Sequence, residues 1–166
     1  MSNFLSMMKK LGLHKILLLL LFFLCFAYSK NASAQDYTES IQIGDDAFNN
    51  GDFYTASLYY NNALWFDSTD MKLAYKCAEA YRFFNNYQKA KQWYQYVLNN
   101  NAKGELPLTK FWLAMMEKST EEYTHAVIHF RAYFNENKNK TDDYFTKKAK
   151  VELEACQEAP LSLIHI

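Results

Sequence analysis

His125 and His129 stand four residues apart, so a helix places them on one face with Glu121 one turn earlier. Two imidazoles and a carboxylate at that spacing form part of a zinc set. A closed zinc shell needs four ligands, and no fourth is evident nearby. The three are therefore read as structural or solvated, and no metal site is expected. No HExxH motif, glycine-rich phosphate loop or nucleophile elbow occurs in the 166 residues. The reading is non-enzymatic, with no catalytic residue, no cofactor and no small-molecule substrate.

The N-terminus carries a different kind of signal. Lys9, Lys10, His14 and Lys15 precede an unbroken apolar run from Ile16 to Tyr28, and Ala32-Ser33-Ala34 offers a small-x-small cleavage site. This is the layout of a signal peptide over residues 1–34, with Gln35 as the new N-terminus. An uncleaved anchor is the alternative, although the apolar core is short for a span of about 20 residues. Cys25 follows Phe23-Leu24, without the small residue that lipid attachment requires. Cleavage removes Lys9, Lys10, Lys15 and Lys30 and no acid, so the neutral chain becomes one of net charge minus four. Its remaining cations are scattered among acids, which excludes the basic stripe that nucleic acid needs.

Export also gives the cysteines a choice, because disulfides persist outside the cytosol. Cys77 falls at an inward helical position and Cys156 on a terminal helix. Two free thiols are expected, with Cys156 the more exposed or paired to a cysteine further downstream. A Cys77–Cys156 bridge is the alternative.

The elements that would position these residues follow from a repeat. Gly44, Ala47, Phe53, Ala56, Tyr60, Ala63 and Leu64 return thirty-four residues later as Ala78, Tyr81, Tyr87, Ala90, Tyr94, Val97 and Leu98. A weaker copy, Ala114, Tyr123, Ala126, Phe130, Tyr133 and Phe134, follows thirty-six residues on. Such a period belongs to helical hairpins stacked into a solenoid. Helices are expected over Asp36–Asn49, Phe53–Phe66, Met71–Phe84, Tyr87–Asn99, Leu108–Lys118 and Glu121–Asn135. A closing helix from Asp142-Asp143 to about Cys156 covers the last pair. Asn50-Gly51-Asp52 and Asn85-Asn86 read as turns, and Asp67-Ser68-Thr69-Asp70 as a turn with a cap. The repeat domain is set at residues 35–159. Leu161 to Ile166, following Pro160, fit no helix, so 160–166 is read as a truncated or artefactual tail of a fragment. Trp65, Trp93 and Trp112 are expected in the core between helices.

These positions resemble the tetratricopeptide repeat family. There, small residues mark close helix crossings, as Gly44, Ala56, Ala78, Ala90, Ala114 and Ala126 do here. Large aromatics fill the remaining grooves, as do Phe53, Tyr60, Tyr87, Tyr94, Tyr123 and Phe130. The fold class implied is all-α: a tetratricopeptide-like superhelix of about three hairpins plus a C-terminal capping helix. Glu117 and Glu121 depart from the pattern, Glu121 standing where a helix-breaking glycine is usual.

The resemblance also implies a partner groove lined by the first helix of each hairpin. Its positions map to Thr38, Ile41, Asp45, Phe48 and Asn49, then to Lys72, Tyr75, Glu79, Arg82 and Phe83. In the third repeat they map to Leu108, Phe111, Met115, Lys118 and Ser119. Tyr75, Arg82, Phe83, Phe111 and Met115 are the candidates for contact with an extended peptide or envelope protein, since aromatics and arginine dominate binding hot spots. Packing against a neighbouring helix or domain is the competing role for each. Chaperone-binding members of the family grip a terminal carboxylate with lysine and asparagine. Here Asp45 and Glu79 would repel it, despite Lys72, Arg82 and Lys118.

A narrower resemblance rests on the signal layout, YKCAEAY at Tyr75–Tyr81, Trp93-Tyr94, Phe111-Trp112-Leu113-Ala114 and the Lys148–Cys156 segment. Together these are similar to the N-terminal repeat region of Bacteroidetes envelope proteins with OmpA-like domains, some of them in type IX secretion and gliding complexes. That resemblance implies an exported scaffold in the periplasm, associated with the outer membrane. Peptidoglycan would be bound only by a downstream domain. A free-standing periplasmic peptide-binding repeat module is the alternative. The Asn139-Lys140-Thr141 sequon would have no use in a bacterial envelope protein.

Overall fold

The computed structural model describes residues 35–100, 104–140 and 142–162, with side chains to residue 159, and also residues 12, 15, 18, 21 and 22. The proposed signal segment 1–34, those five helical positions apart, and residues 163–166 of the tail lie outside the described residues. Over residues 35–162 seven helices follow in order, and the described residues contain no strand. They are α1 (35–49), α2 (Phe53–Phe66), α3 (Met71–Phe83), α4 (Tyr87–Asn100), α5 (Thr109–Ser119), α6 (Tyr123–Asn137) and α7 (Tyr144–Ser162). From α2 onward each helix packs on the next, and α7 also reaches α5. This is the expected superhelix of three hairpins with a capping helix. No helix among the described residues is long and apolar enough to cross a membrane.

The three hairpins turn by one backbone device. Gly51, Asn85 and Glu121 all have positive φ, at 79°, 62° and 63°. One residue later, the N–H of Asp52, Asn86 and Glu122 donates to the carbonyl five residues back, on Ala47, Tyr81 and Glu117. This left-handed closure satisfies carbonyls that a helix end leaves open. Glycine adopts it freely, whereas a glutamate does so at a cost. Asp52 and Asn86 then cap α2 and α4, accepting from the backbone N–H of Thr55 at 3.0 Å and of Lys89 at 3.2 Å. The glutamate at the third turn makes no such cap, and Glu122 pairs with Lys91 of α4 instead.

Close crossings occur at the small residues. A Cβ on Gly44 would stand 2.7 Å from Cδ1 and Cε1 of Tyr60, so the ring of α2 lies directly against the α1 backbone. Ala56, Ala78, Ala90, Ala114 and Ala126 are completely buried, as are Tyr94 and Phe130, with Tyr60 nearly so. Phe53, Tyr87 and Tyr123, which open the second helix of each hairpin, are only half-buried.

Three sequence expectations require correction. Trp65 is 86 % exposed, because α2 turns it outward while Ala63 and Leu64 face the core. Cys156 is buried rather than exposed, since it lies on the α7 face that packs on the third hairpin, and both it and Cys77 are free thiols. The closing helix runs on to Ser162, through Pro160 and past the expected end near Cys156.

Candidate functional site

A cleft of about 410 Å³ opens between α1 and α3, lined by Asp45, Phe48, Asn49, Tyr60, Tyr75, Lys76 and Glu79. Its apolar wall is aromatic, built from Phe48, Tyr60 and Tyr75, and its charges are all engaged. Lys76 donates to both Asp45 oxygens, at 2.8 and 2.9 Å, and the Tyr60 hydroxyl donates to Asp45 Oδ1 at 2.6 Å. Burial alone would raise the Asp45 pKa, but the hydrogen bonds from Lys76 and Tyr60 outweigh it and hold the carboxyl below its ordinary value.

The same arrangement recurs one repeat later. Tyr94 donates its hydroxyl to Glu79, and Arg82 pairs with the same carboxylate while donating from Nε to the Tyr94 oxygen at 3.2 Å. The guanidinium lies between two rings, 4.1 Å from the centroid of Phe83 and 3.9 Å from that of Trp112. Stacking of this kind adds to the ion pair and fixes the fork. Burial, then the Glu79 charge, raises the pKa of Tyr75, whose ring meets Tyr94 edge-on at 5.6 Å.

The structure thus gathers three of the five groove candidates around α3. Of these only Tyr75 lines the cleft; Arg82 is tied to the lining Glu79 within its aromatic stack, and Phe83 is 44 % exposed beside Phe48 and Phe53. Phe111 is not on the groove surface. It is 2 % exposed, enclosed by Phe130, Tyr133 and Phe145, because α7 brings Phe145 over it at 5.2 Å. Met115 is half-buried against the same core. Lys118 and Lys72 are also paired, with Glu152 of α7 and, at 3.8 Å, with Glu105.

Histidine chemistry is dispersed. His129 Nδ1 lies 2.8 Å from Glu117, a buried carboxylate on α5, while the exposed His125 faces Glu122 at 3.5 Å. Glu121 sits in the turn before α6 and converges with neither. No group of three or more metal-ligating side chains exists among the described residues.

Two cleft residues, Tyr60 and Lys76, were missed in the sequence, one read as core and the other unassigned. A signal for Tyr60 was present. Asp45 and Tyr60 are fifteen apart, as are Glu79 and Tyr94, and at the third repeat both members change together to Met115 and Phe130. Losing the carboxylate and the phenol at once is what a hydrogen-bonded pair requires, since either alone would leave a buried polar group without its partner.

No family model matches the sequence, and no curated protein matches it. The fold does have solved likenesses. One is the TPR2B domain of yeast Sti1 in a pHsp70 complex, with a TM-score of 0.61 at 12 % identity over 75 % of this chain and 98 % of that one. Another is the first TPR of Spaghetti (RPAP3) bound to the HSP90 peptide SRMEEVD, at 0.61 and 14 % over 76 % and 94 %. A third is the Yersinia enterocolitica type III secretion chaperone SycD with a peptide of the translocator YopD, at 0.58 and 15 % over 78 % and 95 %. At these identities the likeness establishes a tetratricopeptide-like fold.

Proposed function

We propose that this chain is a non-enzymatic peptide-holding scaffold whose α1–α3 cleft takes an extended segment of a partner protein. The observation that carries this reading is an open aromatic cleft whose charged groups are each closed in pairs within the protein. Its volume falls in the range of about 300–1,000 Å³ usual for binding pockets. The likeness to domains solved with peptides, among them SycD, supports it further. With Lys76 held by Asp45 and Arg82 by Glu79, no free cation pair in the described cleft waits for a terminal carboxylate. The partner is selected by apolar side chains of an internal segment, placed on Phe48 and Tyr75, with the buried Tyr60 ring behind them.

The test is a peptide array probed with the chain and with Tyr75→Ala, each peptide made with a free and an amidated C-terminus. Binding is expected to follow apolar anchors, to ignore the terminus, and to fall at least about tenfold in the variant. Binding that demands the free carboxylate, or that Tyr75→Ala leaves unchanged, would sink the reading.

We further propose that the module works after export, in the periplasm near the outer membrane. The signal layout at 1–34 and the narrower envelope-protein resemblance support this. Cell fractionation and the intact mass of the exported protein test it. A cytosolic product beginning at Met1 overturns it. Service as the N-terminal part of an OmpA-like scaffold in a secretion or gliding complex rests on that resemblance alone. It is tested by whether the intact protein co-purifies with peptidoglycan.

A further inference from the structure

On the face away from the α1–α3 cleft, α2 carries an uncovered apolar stripe. Tyr54 is 52 % exposed, Leu58 48 % and Trp65 86 %, with Phe66 beside them. Phe53–Phe66 contains no aspartate, glutamate, lysine, arginine or histidine. The comparable helices of the other repeats differ, for α4 carries Lys89 and Lys91 and α6 carries Arg131 and Glu136. Next to the stripe lies a second cleft, of about 470 Å³, between α2 and α4. It is lined by Asn61, Ser68, Lys89, Gln92, Trp93 and Tyr96. Trp93 and Tyr96 meet edge-on at 5.7 Å, and the Tyr96 hydroxyl donates to the Ser68 carbonyl at 2.8 Å, which fixes that wall.

Asn61, which lines this cleft, and Trp65 are four apart on α2 and so share one helical face, and Ser68 follows in the turn just past the end of the helix. The projecting indole therefore stands at the rim of the cleft, beside an opening roomy enough for another indole. We propose that this face pairs with a second copy of the chain, about a two-fold axis, Trp65 of each copy entering the α2–α4 cleft of the other. A two-fold pairing needs a surface complementary to itself, with projection and recess close together. It also brings like residues together near the axis, which a neutral helix tolerates and a charged one resists. The amide oxygens of Asn61 and Gln92 offer the incoming indole N–H an acceptor. From their exposures, the four stripe residues supply about 500 Å² per copy, and the cleft walls bring this toward the roughly 800 Å² per partner of a stable interface. A lipid surface fits less well, because Asp52 and Asp67 flank the stripe where a membrane-binding helix carries lysine and arginine.

The test is sedimentation velocity of the full chain across a roughly hundredfold concentration range, with Asn61→Asp and Asn61→Lys as charge probes near the axis. The wild type is expected to reach twice the monomer mass, and Trp65→Ala to weaken pairing at least about 30-fold with an unchanged helical signal. Asn61→Asp and Asn61→Lys should each weaken pairing alone and restore it when mixed in equal amounts. A misfolded variant would not be rescued in that way. A monomer throughout the range overturns the proposal, as does association that survives Trp65→Ala, which would point to the apolar run 16–28. Loss of binding to phosphatidylglycerol vesicles in Trp65→Ala without any change in mass would assign the stripe to lipid and overturn it too.

Discussion

Tyr94→Phe isolates the contribution of one hydroxyl to the groove wall. The ring is wholly buried, and phenylalanine fills almost the same volume, so no cavity opens. The edge-on contact with Tyr75 at 5.6 Å is retained. What is lost is a hydrogen bond to an ionised carboxylate, worth about 1.5–3 kcal/mol, together with the one the hydroxyl accepts from Arg82 Nε, which retains Glu79 as its other partner. Glu79 keeps Arg82 as its partner, so it is not left unpaired, and the expected cost lies at the lower end, about 1.5 kcal/mol. For a helical unit of this size that lowers Tm by about 3–5 °C. Tyr60→Phe should cost less, about 0.5–1 kcal/mol, because Asp45 is more exposed and holds Lys76 through both oxygens. The pair Glu79→Met with Tyr94→Phe reproduces the Met115–Phe130 combination of the third repeat but strands Arg82 between Phe83 and Trp112. The coupling of Glu79→Met with Tyr94→Phe, measured by urea denaturation in a double-mutant cycle, should be about 1 kcal/mol. Strict additivity, or a larger loss for Tyr60→Phe than for Tyr94→Phe, would refute the idea that the two hydroxyl–carboxylate pairs are graded by burial.

Glu121→Gly should stabilise the protein by about 0.5–1 kcal/mol, since φ at Glu121 is 63° and relief of left-handed strain exceeds the added unfolded-state entropy. Thermal melts of the two proteins check it, and a lower Tm would contradict the strain. Gly44→Ala should destabilise by about 1–3 kcal/mol, because the new methyl meets the Tyr60 ring at 2.7 Å. Denaturant titration reads that loss, and the groove near Asp45 should be disturbed with it. Stability should fall as pH rises above about 10. Burial, then neighbouring Asp70, raises the Tyr37 pKa to about 12, and Tyr60 and Tyr94 are also shifted upward by burial and an adjacent carboxylate. A phenol whose folded pKa exceeds its unfolded value stabilises below pH 10. That contribution is lost between pH 10 and the folded pKa, by up to about 1.4 kcal/mol per pH unit for each tyrosine. Denaturation midpoints at pH 8, 10 and 11 (roughly the window set by these groups) should therefore decline, and a flat profile would contradict the burial of the phenols.

Fold class was legible because the period is a local property repeated three times. Small residues at Ala56, Ala90 and Ala126, each with an aromatic four residues on, specify a close crossing wherever they occur. The turns at Asp52 and Asn86 and the cap at Asp70 were legible for the same reason, and the structure makes Asp52 and Asn86 caps as well. The groove was only partly so. Its backbone positions follow from the period, but whether a side chain faces a partner depends on what the next helix covers. Phe111 and Tyr75 are thirty-six residues apart on equivalent helices, yet α7 supplies Phe145 to enclose the first while the second borders an open cleft.

By itself, then, the amino-acid order determined the hairpins, their turns and the small-residue crossings, since each depends on neighbours within a few turns of helix. Tertiary structure alone decided the pairings across elements. Lys76 reaches Asp45 from thirty-one residues away, His129 reaches Glu117 across the hairpin, and Trp65 is left in solvent although its residue type suits a core. A side chain's partner is set by the crossing angle and register of two helices, and spacing along one helix does not encode either.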